Sequence, residues 1–95
     1  MNLIYKYELE IGKNDMELPL GSHVLSVANQ AGELVMWVLF NTDYPGTETR
    51  EVFVVGTGNP FNNRGGLLRF IGSVSVSPYV WHVFVGQVKD NEDKK

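Results

Sequence analysis

The chain has no cysteine, which excludes a disulfide framework and any cysteine-ligated zinc. Its only histidines are His23 and His82. Neither has a second ligand at a recognised spacing, so no metal site is expected. Cations are few and scattered: Lys6, Lys13, Arg50, Arg64, Arg69, Lys89, Lys94 and Lys95, in a chain of net charge −3. Duplex binding draws most of its affinity from a basic stripe that neutralises phosphates. There is no such stripe, so duplex nucleic acid is not an expected partner. A small anion needs only a few cations and stays open. No apolar run approaches the ~20 residues of a transmembrane helix. The stretch from Met1 to Glu8 lacks a basic region followed by an apolar core, so no signal peptide is expected and the default location is cytoplasmic. No window of helix length repeats apolar residues at helical spacing.

What is present is strand. Of the 95 residues, 43% are hydrophobic and 12% aromatic, a composition that folds into one small domain. Leu3, Tyr5, Tyr7, Leu9 and Ile11 alternate with Lys6, Glu8 and Glu10, the period-two pattern of a half-exposed strand. Gly12-Lys13-Asn14-Asp15 reads as a turn, followed by a brief extended piece at Met16 to Pro19. Further strands are expected near 23–29, 34–41, 50–56, 68–76 and 79–85. Gln30 to Glu33 suits a hairpin link. Gly72 marks a bulge or a close approach. These runs give an all-β fold: a six-stranded antiparallel meander, rolled into a small barrel or packed as a sandwich, with no substantial helix. Residues 1–86 form the expected domain, and the charged residues 87–95 a disordered tail.

Three runs are apolar on both faces: Leu34 to Phe40, Val52 to Val55, and Tyr79 to Val85. A strand with one wet face alternates instead. One small core cannot hide both faces, so a closed barrel, a covering loop or another subunit is required. Another subunit is the favoured solution, and the chain is expected to be a homo-oligomer. Trp37, Phe40, Tyr79, Trp81, His82 and Phe84 are the candidate interface residues, since aromatics anchor interfaces.

Catalytic chemistry finds little support. Ser22, Ser26, Ser73, Ser75 and Ser77 with His23 or His82 are the available nucleophile–base combinations, and no nucleophile-elbow pattern surrounds any of them. Glu8 and Glu10, and Asp43, Glu48 and Glu51, look like solvated charges rather than a perturbed acid–base pair. No catalytic residue and no cofactor are expected. The segment Gly56 to Gly66 is more informative. It follows a strand and is glycine-rich, but it is neither a dinucleotide fingerprint nor a Walker loop. Read structurally, it is an ordinary long connection. Read functionally, glycine backbones turn N–H groups toward an anion, Arg64 and Arg69 supply bidentate contacts, and Phe61 stacks on a base. Gly56, Thr57, Gly58, Asn59, Phe61, Arg64 and Arg69 are the candidate ligand-binding residues.

Several pieces together resemble a small uncharacterised family common in bacteriophage and prophage genomes, which carries a domain of unknown function. They are Tyr5-Lys6-Tyr7-Glu8-Leu9, Met16-Glu17-Leu18-Pro19, Leu25-Ser26-Val27, Trp37-Val38-Leu39, Gly56-Thr57-Gly58-Asn59-Pro60, and Gly72 followed by His82-Val83-Phe84. The resemblance runs from about Ile4 to Val85. It implies a small β domain in a phage setting and no particular activity. On that basis the expected function is non-enzymatic: an accessory protein that binds a host target stoichiometrically against defence. The partner is a host protein or a small anionic nucleotide signal, sequestered at subunit interfaces. The alternative is a virion or assembly component.

Overall fold

The computed structural model describes residues 1–88. Seven strands run in the order β1 (Asn2–Glu8), β2 (Gly12–Pro19), β3 (His23–Gln30), β4 (Glu33–Asn41), β5 (Thr47–Gly56), β6 (Arg69–Val76) and β7 (Tyr79–Val88). A single 3-10 turn at Arg64–Gly66 precedes β6. The strands form two sheets, ordered β1-β4-β3 and β2-β5-β7-β6, and every pairing is antiparallel. The all-β class agrees with the sequence. The six-stranded meander does not, and neither does the barrel. β1 pairs with β4, and β2 with β5, so neighbours in sequence are often in different sheets.

The extra strand arises at the expected turn over Gly12 to Asp15, which is instead the start of β2. The chain crosses from one sheet to the other at residues 9–11, and Gly12, at φ +97°, redirects it. Asn14 then braces the crossing. Its amide nitrogen donates to the Glu10 carbonyl at 2.9 Å and to the Val52 carbonyl at 3.2 Å, and its oxygen accepts from the Glu10 N–H at 2.9 Å. The β3–β4 link turns tightly at Ala31 and Gly32, both at positive φ (52° and 87°), as a hairpin turn matched to strand twist requires. β7 continues through Val88, inside the stretch expected to be tail. Residues 89–95 of that stretch lie outside the described residues.

The core is where the inner faces meet. Val24, Leu34, Met36 and Val38 of the three-stranded sheet pack on Leu18, Val52, Val54, Val74, Val83 and Val85 of the other. The β-branched majority fits a pleated surface. Along one side the outer strands β3 and β6 come together. Asn29 Nδ2 donates to the Ser75 carbonyl at 3.0 Å, and a methyl on Gly72 would stand 3.2 Å from Val27 Cγ2. Gly72 is thus the close approach its sequence position suggested, and it pairs with Val83 just after Ile71, the residue the β6–β7 register skips. On the opposite side β1 and β2 do not pair, and the barrel stays open.

The topology explains the long segment before β6. β5 and β6 both pair antiparallel with β7, which lies between them. They therefore run in the same direction, and the chain must travel back the length of the sheet to join them. It does so over the outer face. Phe61 packs on Phe84 with ring centres 5.0 Å apart, and Phe70 meets the same ring at 5.4 Å. Arg64 lies over Phe53. The long loop thus covers part of the second face of the β5 and β7 runs, at Phe53 and Phe84. The outer face of β4 has no loop over it among the described residues: Val35 is buried there, but Trp37 and Leu39 are half-buried and Ile4 beside them is exposed.

Candidate functional site

The strand directions gather four connections at one end of the sandwich: residues 9–11, 31–32, 57–59 and 77–78. Trp81 closes the core there. It lies opposite Gly56 on β5 and Val74 on β6. Two open clefts flank its ring. One, of about 400 Å³, is lined by Gly56, Thr57, Asn59, Tyr79 and Trp81 with Pro78 and Val80. The other, of about 310 Å³, lies between Trp81, Leu9, Leu34 and Val76 and the turns at Ile11 and Gly32.

The first cleft is built around the absent side chain of Gly56. A Cβ there would stand 2.8 Å from Asn59 Nδ2 and 3.1 Å from Trp81 Cζ3. Glycine therefore leaves room for both the Asn59 amide and the indole at this point, and Tyr79 adds a second ring, its centre 5.8 Å from that of Trp81. The backbone of this turn is largely engaged. Thr57 N–H donates to the Val80 carbonyl at 3.3 Å, and Asn59 N–H to the Gly56 carbonyl at 3.0 Å. Gly58 takes a left-handed φ of 87° to close the turn. The N–H groups of Thr57 and Asn59 are thus spent on the fold, and the side chains of Asn59, Thr57 and Tyr79 are polar groups lining the cleft.

His82 lies on the outer face of the same sheet. Thr57 Oγ1 is 2.7 Å from its Nε2, and Ser73 Oγ is 2.7 Å from its Nδ1. A neutral imidazole donates through one nitrogen and accepts through the other, and hydroxyls serve both roles. No carboxylate orients the ring among the described residues, as a serine–histidine–acid relay would require. Nor does any group of three histidine or acidic residues there form a metal cluster.

The ligand candidates divide. Gly56, Thr57 and Asn59 line the Trp81 cleft. Phe61 belongs to a neighbouring groove of about 260 Å³ with Ile11, Lys13, Phe53 and Asn59. Arg64 is turned away: its guanidinium pairs with Glu51 and covers Phe53. Arg69 is exposed at the far end of β6, opposite Val85. The two arginines and the Gly56–Asn59 turn do not converge. The interface candidates divide as well. Tyr79 and Trp81 form the cleft, Phe84 lies under the loop, His82 is held by Thr57 and Ser73, Trp37 is on the open face of β4, and Phe40 is buried against Tyr5 with ring centres 4.8 Å apart.

Two acids read as solvated charges are in fact buried. Glu48 accepts from the Gly21 N–H at 2.9 Å and pairs with Arg50. Glu51 pairs with both Lys13, at 3.0 Å, and Arg64. The hydrogen bond from Lys13 holds the Glu51 carboxyl below the ordinary carboxylate range, with Arg64 adding to it and burial opposing. The partners of Glu51 come from β2 and the long loop, and Glu48 takes the N–H of Gly21 from the turn after β2, so the local sequence does not mark either as buried.

Among the described residues, no helix is long and apolar enough to cross a membrane. Comparison with curated proteins and with solved structures gave no match. The chain does match, over residues 1–94, a domain of unknown function, DUF7352, and it belongs to that family.

Proposed function

We propose that this is a non-enzymatic binding protein, acting as a homo-oligomer, that captures a small ligand stoichiometrically in the Tyr79–Trp81 cleft. The ligand that fits this chemistry is a flat ring with a hydrogen-bonding edge, the base of a nucleotide. Aromatic faces take a base by stacking without regard to sequence, and a side-chain amide reads its edge as donor and acceptor. The observation that carries the reading is the bare Cα of Gly56, where a side chain would meet both the Asn59 amide and the Trp81 indole. Among the described residues no cation lines this cleft. The adjoining groove holds Lys13, whose ammonium pairs with Glu51 at 3.0 Å, so a phosphate there would share that cation with the carboxylate. The phage setting implied by the family resemblance gives this capture a purpose, removal of a host nucleotide signal in defence.

The test is a titration of linear and cyclic nucleotides against Trp81 fluorescence, in a Trp37→Phe background, with melting temperature in parallel. A binding ligand raises the melting temperature by mass action and shifts Trp81 emission, and Asn59→Ala weakens both effects. A flat response across purine and pyrimidine nucleotides sinks the reading.

A second reading, an assembly component, is favoured by one observation: Ile4, Trp37 and Leu39 share an uncovered apolar face on the three-stranded sheet. Growth into large open particles as concentration rises would favour it over capture.

A further inference from the structure

We infer that the free edge of β1 is the surface on which two copies of this chain pair, antiparallel and centred on Tyr5, joining two three-stranded sheets into one of six. This rests on the homo-oligomer in the proposed function and names its surface.

The phase of the β1 ladder carries the argument. Thr42 N–H donates to the Met1 carbonyl at 2.8 Å, and Leu9 N–H to the Leu34 carbonyl at 2.9 Å. Both belong to the single unbroken register of β1 on β4. Hydrogen-bonded pairs alternate along an antiparallel ladder. Leu3, Tyr5 and Tyr7 therefore turn their N–H and C=O groups toward β4. Asn2, Ile4, Lys6 and Glu8 turn theirs outward, to the open edge.

The other outer strands are protected. β3 and β6 cover each other through Asn29, Ser75, Gly72 and Val27. β2 carries Lys13, Asp15, Glu17 and Pro19, the charges and proline that discourage edge pairing. β1 has an open edge and large apolar side chains that stay exposed, Ile4 at 57% and Tyr5 at 50%.

One register satisfies the strand. Full overlap of two antiparallel copies of Asn2–Glu8 places Tyr5 on the two-fold axis. Ile4 then faces the partner's Lys6, and Asn2 faces the partner's Glu8. Every one of these residues has outward backbone groups, so about eight new ladder bonds form. A one-residue slip opposes outward groups with inward ones. A two-residue slip either sets Lys6 against the partner's Lys6 or loses overlap. Lys6 itself is drawn away from the edge, because its Nζ donates to Gln30 Oε1 across the outer face of β4.

The proposal separates backbone phase from side chains, and so does its test. Ile4→Pro removes an outward N–H and leaves the β1–β4 ladder whole. It is expected to abolish the dimer at every concentration at which the parent is dimeric, as measured by light scattering, with little change in melting temperature. Tyr5→Cys places a unique thiol on the axis. Non-hydrogen-bonded antiparallel Cα atoms are ~4.5 Å apart, within disulfide reach, so the variant is expected to cross-link to itself on oxidation. Leu3→Cys is expected to cross-link only when mixed with Tyr7→Cys. A dimer that survives Ile4→Pro, or a Leu3→Cys chain that cross-links to itself as readily as Tyr5→Cys, overturns this surface while leaving the homo-oligomer. A chain that stays monomeric at all concentrations overturns both, and leaves the nucleotide cleft to its own titration.

Discussion

The guanidinium carbon of Arg64 lies 5.0 Å from the centre of the Phe53 ring. The contact is a consequence of topology. β7 separates β5 from β6, so the chain must return across the outer face, and Arg64 arrives above an aromatic side chain that would otherwise face water. Arg64→Ala removes the ring contact and one of the ion pairs of Glu51. The side chain is 43% exposed, and a partly exposed cation–π contact is worth about 1 kcal/mol. A loss of that size should appear as a lower urea midpoint with an unchanged slope. An unchanged midpoint would mean that the loop rests on Phe61 alone.

Glu51 makes the same region sensitive to acid. Its carboxyl is held below its ordinary value of 4.5 by the Lys13 hydrogen bond first, with Arg64 adding. A depressed folded-state pKa means that the unfolded chain binds the proton more readily. The resulting stability is fully present above the ordinary value and is lost as pH falls through the folded-state one. Glu51→Gln should therefore be less stable than the parent near neutral pH, and the difference should narrow in acid. Melting temperatures of the two chains across that range will show whether the curves converge.

Most strands from β3 onward follow from apolar runs bounded by turn composition. Pairing order does not. Leu9 and Ile11 extend the alternation of β1 through the crossing between sheets. Gly12 to Asp15 has turn composition, yet pairs along β5 from Val54 to Glu51, so tertiary pairing overrides local preference. The doubly apolar runs were legible, but the cover over the second face of β5 and β7 was not. That depends on β7 lying between β5 and β6. The candidate site was half legible for the same reason. Gly56, Thr57 and Asn59 drew notice as a glycine-rich turn, and Trp81 as an aromatic. Their meeting needs the β5–β7 register that sets Gly56 opposite Trp81. The burial of Glu51 needs Lys13 and Arg64, from elements distant in sequence.

The core gives a contrast between two leucines. Leu18 is 0% exposed and Leu25, the residue at the β3 bulge, is 46% exposed. Leu18→Ala leaves a cavity between the sheets and should cost roughly 2–5 kcal/mol, a large part of the ~5–15 kcal/mol that holds a domain together. Leu25→Ala should change stability by no more than about 0.5 kcal/mol. Parallel urea titrations decide the matter. A large loss at Leu25 would show that the outer side of β3 is covered in solution by something this single chain lacks.

Gly56→Ala tests whether the cleft can be damaged without the fold. The new methyl would meet Asn59 Nδ2 at 2.8 Å and Trp81 Cζ3 at 3.1 Å. The amide is the end of a flexible side chain and can swing away. The indole closes the core and yields less, so the strain should stay near 1 kcal/mol, at the low end of overpacking costs. For a domain of this size that is a fall of roughly 4–8 °C in melting temperature. Displacing Asn59 should shift Trp81 emission in the Trp37→Phe background and weaken any nucleotide that binds the parent. A variant that melts as expected yet binds nucleotide undiminished would move the ligand away from Asn59, toward the groove beside Lys13 and Phe61.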